Sequence, residues 1–581
     1  MFNTFKKLFG LLTHRQKRDF YVLQLLMLLT AGAELVGVAS IMPFMAVAAD
    51  PQLIVSNEYL HRVYVLFGEP SDDIFLTYIG GAFILLIFLS NGLLLLSQYL
   101  MNNYAHRLGG EFSVSVYNHY LRQNTLFHNR KNSADLIQHI MRDTLRLSTH
   151  LVAPALRLNG RAFSIVLLCA LIVYVDVFVA INSLFVLLAV YWFVFYVLRS
   201  RIYRNGKNVS DYNASRNRLL NESFEGIKDI KLYAAENQLL QRFRGSTREV
   251  ARALSENMIL GQSPYYIVET VVLAGALLVA LFLIMQKGDM EAVLPVLALY
   301  CMAGFKLVPK VQQSYLAITQ IRSAQAPFNS LYEVLKAANR EYRPERNDSP
   351  ALRPRKSISL DKVCFSYPES GKALFDGLTL EIPVGEAVAI TGASGAGKST
   401  ILEILLGLIE PDTGHLCVDG EPLRGSKLEG WRRSVGFVPQ TVYLADASVA
   451  ENIAFGLPPA EIDQDRVRTV ARLAGAAGFV DELAQGYDTL VGERGALISG
   501  GQRQRIGIAR ALYRDVSVLV LDEATSALDN ATQEEIFRNL RSAMKEITMV
   551  MVTHRAETLR HFDRVYTLSK GTLTEAKPSP D

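Results

Sequence analysis

The chain has 581 residues, which is too many for a single hydrophobic core, so several domains are expected. Half of the residues are hydrophobic, which is high for a soluble protein, and a net charge of +4 by itself indicates no particular partner. The four cysteines lack metal-ligand spacing, which favours reduced, structural thiols over a metal site or a disulfide framework. No removable signal peptide is predicted at the N-terminus.

The hydrophobic residues are concentrated in the first 320 or so positions, where they form long runs. A helix that crosses roughly 30 Å of hydrocarbon needs about 20 apolar residues. Six stretches meet this requirement and predict six spans, at residues 21–48, 75–101, 151–173, 177–198, 265–285 and 292–315. The N-terminal tail and the loops at 105–147 and 199–253 are rich in lysine and arginine, which places them and both termini in the cytoplasm.

The two cytoplasmic loops are too long for turns, and they continue the helical pattern of the spans. Several helices are therefore expected to extend beyond the bilayer. Each loop has a candidate bend at its far end, at residues 124–132 and 225–231, which would let it touch a cytosolic domain. Simple solvated loops are the alternative.

The outer loop between the first two spans has apolar residues at helical spacing, namely Tyr59, Leu60, Val63, Tyr64 and Phe67. This pattern predicts an amphipathic helix at the outer membrane interface, with a plain packed loop helix as the competing interpretation. The spacing alone does not choose between them.

Ionisable residues inside spans cost about 2.5–3.5 kcal/mol each at the bilayer centre, so their presence indicates a function or a partner. Five stand out: Glu34 in the first span, Arg157 and Arg161 in the third, and Lys306 and Lys310 in the sixth. A basic cavity on the cytoplasmic side would favour an anionic head group such as a phosphate or pyrophosphate. Snorkelling to the lipid head groups is the alternative, and it is favoured for the two arginines. Pro309 predicts a kink between the lysines.

A charged, proline-rich stretch at residues 341–355 predicts a linker. From about Ser357 onward, short β-rich runs alternate with helical ones, which is the pattern of an α/β domain. We therefore expect a multidomain chain, with an all-α six-helix transmembrane domain at 1–335, a linker at 336–356, an α/β domain at 357–575 and a polar tail at 576–581.

The second half contains a phosphate-binding loop, ITGASGAGKST, at residues 390–400. It fits the pattern G-x-x-x-x-G-K-[ST] between a strand-like and a helix-like run, which argues against a chance glycine-rich turn. Glycines let backbone N–H groups turn inward around phosphate oxygens, at the positive end of the following helix. Lys398 would reach the β- and γ-phosphates, and the Ser399 hydroxyl would hold Mg²⁺.

Two weaker signals flank this loop. Tyr367, about 25 residues upstream, could stack on an adenine ring, although a core or edge aromatic is commoner. Gln440 follows a β-like run, where its amide could ligate Mg²⁺ or orient water.

Three stronger signals lie further along the chain. A second anion cradle begins a helix at Ser499, Gly500, Gly501 and Gln502. An apolar strand ends at Asp522, which fits a Mg²⁺ ligand, and Glu523, which is placed to polarise an attacking water. Another apolar strand ends just before His554, which could contact the γ-phosphate. Each residue also has a structural explanation, such as a helix cap, but their order argues against chance.

Together these motifs resemble the ATP-binding cassette (ABC) family, and the six spans before them resemble an exporter half-transporter. The fold implied is an all-α transmembrane domain followed by an α/β P-loop ATP-binding cassette that uses ATP and Mg²⁺. The resemblance implies a phosphate loop made of Gly392, Ser394, Gly395, Gly397, Lys398, Ser399 and Thr400. It places Tyr367 beside adenine and implies a Mg²⁺ site made of Ser399, Gln440 and Asp522. Glu523 would be the catalytic base and His554 the switch histidine.

The resemblance also implies a dimer, because the signature motif from Ser499 to Gln502 completes the ATP site of the partner subunit. Asp529 belongs to a further nucleotide-site loop at 526–529, and the run VGERG, with Glu493 and Arg494, resembles an exporter loop that senses the cytoplasmic bends. Ile498 replaces the usual leucine, which is a conservative departure. A homodimer is sufficient, since both halves of each site are intact, and a heterodimer stays open.

The first span and outer loop, GAELVGVASIMPFMAVAAD and EYLHRVYVLF, resemble bacterial lipid-linked oligosaccharide flippases. This resemblance implies ATP-driven outward flipping of a polyprenyl-pyrophosphate-linked oligosaccharide, or a similar glycolipid, in the bacterial inner membrane. A general lipid or multidrug exporter is the alternative, as is an ATP-driven regulator or channel without a transported substrate. A nucleic-acid repair ATPase would share the cassette motifs but not six spans, so no nucleic-acid partner is expected.

Overall fold

The computed structural model describes residues 2–175, 177–287, 290–341, 350–367, 371–492, 495–525, 527–543 and 547–576. The chain divides into two compact units. The first holds the chain up to Arg122 and from Ser133 to the last helix before the linker, and the second holds Gln123–Asn132 and the β-containing half. The expected domain bounds stay predictions, since residues 342–349 of the linker and 577–581 of the tail lie outside the described residues.

The described residues before the linker are almost all helical. The helices are α1 (Phe2–Leu11), α2 (His14–Ala39), α3 (Ile41–Ala49), α4 (Leu53–Ser56), α5 (Glu58–Leu66), α6 (Asp72–Leu121), α7 (Thr125–Arg130), α8 (Ser133–Gln138), α9 (Thr144–Leu147), α10 (Ala153–Val175), α11 (Val177–Glu225), α12 (Ile227–Leu232), α13 (Glu236–Lys287), α14 (Met290–Ser323) and α15 (Gln325–Glu341). Two π-helical turns, His139–Asp143 and Ser148–Val152, flank α9.

The six predicted spans all lie in helical segments, the first of them continuing through a break at Ser40 from α2 into α3. Within the described residues, three segments are long and apolar enough to cross a membrane, namely His14–Ala49, Asp72–Leu121 and Asp135–Val175. The three later spans, in α11, α13 and α14, stay predictions.

The long helices confirm that the helical pattern continues past the spans. The 50 residues of α6 give a length of about 75 Å, which is more than twice the hydrocarbon thickness of a bilayer. Helices α11 and α13 are of similar length, with 49 and 52 residues.

The first predicted bend is the short helix α7. Its N-terminal cap is Asn124, whose side chain accepts a hydrogen bond from the backbone N–H of Phe127 at 2.9 Å. Leu126 is partly buried against a hydrophobic core of the second unit. The bend therefore belongs to the second unit, although α6, which leads into it, belongs to the first.

The second predicted bend is the short helix α12. It begins after Gly226, where the long helix α11 has ended. Its apolar residues Ile227 and Leu232, and the following Tyr233, are exposed in the single chain. Exposed apolar groups of this kind are typical of interaction surfaces.

The described residues of the second unit form two sheets. The strands are β1 (Ser357–Ser366), β2 (Ala373–Pro383), β3 (Ala387–Gly392), β4 (Thr413–Val418), β5 (Glu421–Pro422), β6 (Val435–Val438), β7 (Val518–Asp522), β8 (Thr548–Val552), β9 (Arg564–Ser569) and β10 (Thr572–Ala576). One antiparallel sheet has the order β2-β1-β4-β5, and the other has the order β10-β9-β3-β8-β7-β6. In the second sheet β9, β3, β8, β7 and β6 are parallel.

Among the described residues from β1 onward, eight α-helices accompany these strands: α16 (Lys398–Leu405), α17 (Ser426–Ser434), α18 (Val449–Ile453), α19 (Gln464–Leu473), α20 (Ala477–Asp481), α21 (Gly500–Tyr513), α22 (Asn530–Ala543) and α23 (Ala556–Leu559). Strands β3, β7 and β8 are continuous buried apolar runs, as expected of parallel strands covered on both faces. Their carboxyl ends meet at one edge of the sheet, which is where ligands bind in open α/β folds. The α/β prediction is confirmed.

Candidate functional site

The phosphate loop joins the end of β3 to the start of α16. Two of its glycines have no room for a side chain. A Cβ on Gly392, whose φ is +150°, would lie 2.5 Å from the carbonyl oxygen of Leu568, and a Cβ on Gly397, at φ +103°, would lie 2.9 Å from the Phe375 ring. The loop therefore depends on glycine for both conformation and packing.

Lys398 lies folded into this loop and is 7 % exposed. Its Nζ donates hydrogen bonds to the carbonyl oxygens of Gly392 at 2.9 Å and Ala393 at 2.8 Å. The neighbouring residues Ser394 and Gly395 are exposed at the tip of the loop. The ammonium is thus held where an incoming phosphate, a charged and stronger acceptor than a carbonyl, would bind it.

Oxygen donors for a cation meet beside the loop. The Ser399 hydroxyl lies near enough to the Asp522 carboxylate, at the end of β7, to lower the pKa of that carboxylate. Burial raises the pKa of Asp522, and the negative charge of Glu523 adds to the effect, whereas Ser399 and Lys398 oppose it. A half-buried carboxylate beside a hydroxyl fits Mg²⁺, which prefers oxygen ligands.

Glu403 is a third carboxylate near this position that the sequence analysis missed. It lies on α16 one turn after Ser399, hence on the same face of the helix. Burial raises its pKa, and the charge of Asp522 raises it further. The i, i+4 spacing from Ser399 was the available sequence signal.

Glu523 lies between two other predicted residues. The Gln440 amide Nε2 donates to Glu523 Oε2 at 2.9 Å, and His554 Nε2 is 3.2 Å from Glu523 Oε1. Glu523 has a left-handed backbone conformation, with φ +46°, which costs a non-glycine residue free energy and is found disproportionately at functional sites. The structure therefore brings together Gln440, Glu523 and His554, at the ends of neighbouring strands.

Tyr367 contacts the helix that follows the phosphate loop. Its hydroxyl lies 2.9 Å from the Thr400 hydroxyl, and its ring packs edge-to-face on Phe365 with 5.1 Å between ring centroids. The side chain is 37 % exposed, which leaves ring surface for a base to stack on. The adenine contact itself stays a prediction.

The second anion cradle begins α21. Ser499 Oγ accepts a hydrogen bond from the Gln502 backbone N–H at 3.2 Å, and Gln502 Oε1 accepts one from the Ser499 N–H at 2.8 Å. This reciprocal capping box fixes the helix start, while Gly500 and Gly501 carry no side chain that would cover it. Ser499 and Gln502 thus bond each other rather than the phosphate loop of their own chain, and Ser499 is exposed while Gln502 is half-buried.

Asp529 caps α22 in the structure. Its carboxylate accepts hydrogen bonds from the backbone N–H and the hydroxyl of Thr532, both at 2.9 Å, and these bonds lower its pKa. Its nucleotide contact stays a prediction. Ser526, Glu493 and Arg494, which the sequence also singled out, lie outside the described residues.

The ionisable residues of the membrane unit have partners that the sequence did not reveal. Lys310 Nζ on α14 lies 2.7 Å from Glu34 Oε2 on α2, and Lys306 Nζ is 3.4 Å from Asn91 Oδ1 on α6. Arg161 on α10 donates to the carbonyl oxygen of Gln313 at 2.9 Å. Arg157 donates only within its own helix, to Ala153 O at 3.3 Å, among the bonds of the described residues.

Two residues of the outer-loop helix α5 are packed against the protein, as expected if α5 is a packed loop helix rather than a helix on the membrane interface. Leu60 and Tyr64 pack against a small core that contains Phe75, and the Tyr64 and Phe75 rings meet edge-to-face at 5.0 Å. Tyr59 and Phe67 remain exposed. The five apolar positions are therefore divided between the protein core and the outer surface.

The fold and the site define a P-loop ATPase joined to a helical membrane domain. Two family models match: "ABC transporter transmembrane region" over residues 39–308 and "ABC transporter" over residues 375–526. The chain belongs to the ABC transporters, as an exporter half-transporter with both domains on one polypeptide. It is an integral membrane protein that binds ATP and couples its hydrolysis to transport.

Curated relatives and a solved structure agree with this assignment. The "ATP-dependent lipid A-core flippase" of Alkalilimnicola ehrlichii is 29% identical over 82% of this chain and 80% of its own length. The "ATP-dependent lipid A-core flippase" of Saccharophagus degradans is 34% identical over 61% of this chain and 59% of its own length. The structure of a bacterial Atm1-family ABC exporter with ATP bound has a TM-score of 0.73 at 22% identity, over 97% of this chain and 95% of its own, which shows the same fold.

Proposed function

We propose that the chain flips a phosphorylated glycolipid from the cytoplasmic to the outer leaflet of a bacterial inner membrane. The observation that carries this proposal is the pair Lys306 and Lys310, which lie one turn apart on α14 within a predicted span. Two ammonium groups at that spacing suit a phosphate or pyrophosphate. The relatives named lipid A-core flippases support a lipid substrate.

Two substrates share this chemistry. A polyprenyl-pyrophosphate-linked oligosaccharide follows from the resemblance of the first span and outer loop, and a lipid A-type glycolipid follows from the names of the relatives. Both carry sugar, phosphate and lipid chains, so the lysines alone do not separate them.

The chain is proposed to act as a homodimer. The exposed helix start at Ser499 to Gln502 would complete the ATP site of a second copy, since it lies free of its own phosphate loop. The exposed apolar residues of α12 offer a further surface for that copy to cover.

In the proposed cycle, Lys398 and the loop glycines hold the phosphates, and Tyr367 stacks on the adenine. Mg²⁺ would be held by Ser399, Gln440 and Asp522, and it supplies charge neutralisation of the phosphate oxygens. Glu523 takes the proton of the attacking water, and His554 contacts the γ-phosphate. ATP then favours the outward-facing state only by its differential affinity for the closed dimer.

The test is flipping by the full-length protein in proteoliposomes, measured as ATP-dependent loss of fluorescent phosphorylated glycolipid from the leaflet that faces the cassettes. Polyprenyl-pyrophosphate oligosaccharide and lipid A are compared in parallel, with Glu523→Gln as the inactive control. Movement of either lipid that disappears in Glu523→Gln supports the proposal. ATP hydrolysis without movement of either lipid would overturn it and favour a drug exporter, a regulator or a channel.

A further inference from the structure

The ion pair between Glu34 and Lys310 is short, buried and inside the membrane unit. The Nζ–Oε2 distance is 2.7 Å, and the side chains are 13 % exposed for Lys310 and 5 % for Glu34. The partners are 276 positions apart and join α2 to α14. Charges removed from water in this way are stable only when paired, so each residue neutralises the other.

Lys306 lies on the same face of α14 but is held differently. Its Nζ is 3.4 Å from the neutral amide oxygen of Asn91, a longer contact than that of Lys310 with Glu34. Among the described residues, Glu34 is the one carboxylate that forms an ion pair with either lysine. The two lysines and Glu34 therefore keep one net positive charge.

The neighbouring backbone allows Lys310 to change partner. Pro309 lies between the two lysines and has no backbone N–H, so α14 lacks one backbone hydrogen bond there. A helix interrupted in this way bends or shifts more readily than an intact one.

We propose that Glu34 is an internal counterion that competes with the phosphate of the transported lipid for Lys310. Glu34 neutralises Lys310 until a phosphate held by Lys306 displaces it or shares the lysine with it. Glu34 thereby lowers the affinity for anionic head groups and favours release after flipping. This inference rests on the proposed function, because it needs a phosphorylated substrate.

The direct test is Glu34→Gln in the full-length protein. The dissociation constants of bisphosphorylated lipid A and of undecaprenyl pyrophosphate are measured in detergent for wild type and variant. Freeing Lys310 from its carboxylate partner should tighten phosphate binding by about tenfold or more. The matched control is Glu269→Gln, which removes a carboxylate whose partner is the Tyr265 hydroxyl at 3.4 Å, and it should leave both constants unchanged.

A double-mutant cycle separates competition from a purely structural ion pair. Lys310→Gln should weaken phosphate binding, and adding Glu34→Gln to it should produce no further tightening. If the wild type binds phosphorylated lipid but Glu34→Gln binds it no more tightly, the inference is wrong and the proposed function stands. If the wild type binds neither lipid, both the counterion inference and the proposed function are overturned.

If Glu34→Gln does not fold, a charge-swapped variant distinguishes competition for Lys310 from a purely structural ion pair. Glu34→Lys with Lys310→Glu keeps the ion pair but places a carboxylate beside Lys306. Phosphate binding should then weaken by about tenfold or more. Unchanged binding in this variant would show that the ion pair only joins the helices.

Discussion

His554 Nε2 lies 3.2 Å from Glu523 Oε1, while the Gln440 amide donates to the other oxygen of the same carboxylate at 2.9 Å. Both carboxylate oxygens thus have a protein partner. Glu523 is held in place by groups from two neighbouring strand ends, which is the positioning that a catalytic base requires.

The Glu523→Gln variant should bind ATP with near-normal affinity but hydrolyse it about a hundredfold more slowly or worse, because general base catalysis is lost while the site keeps its shape. Nucleotide binding and phosphate release measure the two effects separately. Glu421→Gln is the control, since Glu421 is exposed on β5 and pairs with Lys427. Turnover near wild type in Glu523→Gln would contradict the assignment.

The His554→Ala variant should also lower turnover, because Glu523 then loses one of its two partners and the γ-phosphate loses a contact. The expected loss is smaller than for Glu523→Gln, since Gln440 still holds the carboxylate. The maximal rate and the ATP concentration at half-maximal rate are measured together. A change confined to the ATP concentration at half-maximal rate would show that His554 contributes to ATP binding alone.

Two substitutions of Tyr367 separate the contribution of its ring to ATP binding from that of its hydroxyl. Tyr367→Phe removes the bond to the Thr400 hydroxyl but keeps the ring, so the KM for ATP should stay within about twofold. Tyr367→Leu removes the stacking surface, which is worth about 1–3 kcal/mol, so KM should rise about fivefold or more at unchanged kcat. Equal effects of the two variants would show that the hydroxyl, rather than the ring, matters.

The phosphate loop was predictable because its parts are contiguous. Gly392, Lys398 and Ser399 lie within eight positions, and the roles proposed for them follow from local backbone geometry. The capping box of Ser499 and Gln502 is visible for the same reason, as S-x-x-Q. What that helix start binds in a second copy is not encoded by spacing within one chain.

The polar contacts of the membrane unit were not predictable. Glu34 and Lys310 were each visible as unusual charges within spans, but their pairing depends on how α2 and α14 pack across 276 positions. Asn91 could not be predicted as a partner of Lys306, because a single amide within a span forms no recognisable sequence pattern. Glu403 was missed because a helical carboxylate usually faces solvent, whereas the fold half-buries this one near Asp522.

The bend at α7 should matter more for transport than for ATP hydrolysis. Leu126→Asp places a charge against the apolar core of the second unit, which should detach α7 from it. Lipid flipping should fall about tenfold while basal ATP hydrolysis stays within about twofold. Leu121→Asp is the matched control, since Leu121 is an exposed leucine at the end of α6. Parallel loss of both activities would indicate that the variant disrupts the cassette instead.

The ring of His561 stacks on Phe537, with 5.1 Å between ring centroids. Burial lowers the pKa of His561, and the positive charges of Arg560 and Arg541 lower it further. The unfolded chain therefore takes up this proton first, so the stabilising effect is present above the ordinary pKa of 6.5 and is lost as pH falls below it. Thermal unfolding between pH 7.5 and about pH 5 should show wild type losing more stability than His561→Phe, which keeps the stacked ring without the titrating group. Equal slopes for the two proteins would show that folding does not change the pKa of His561.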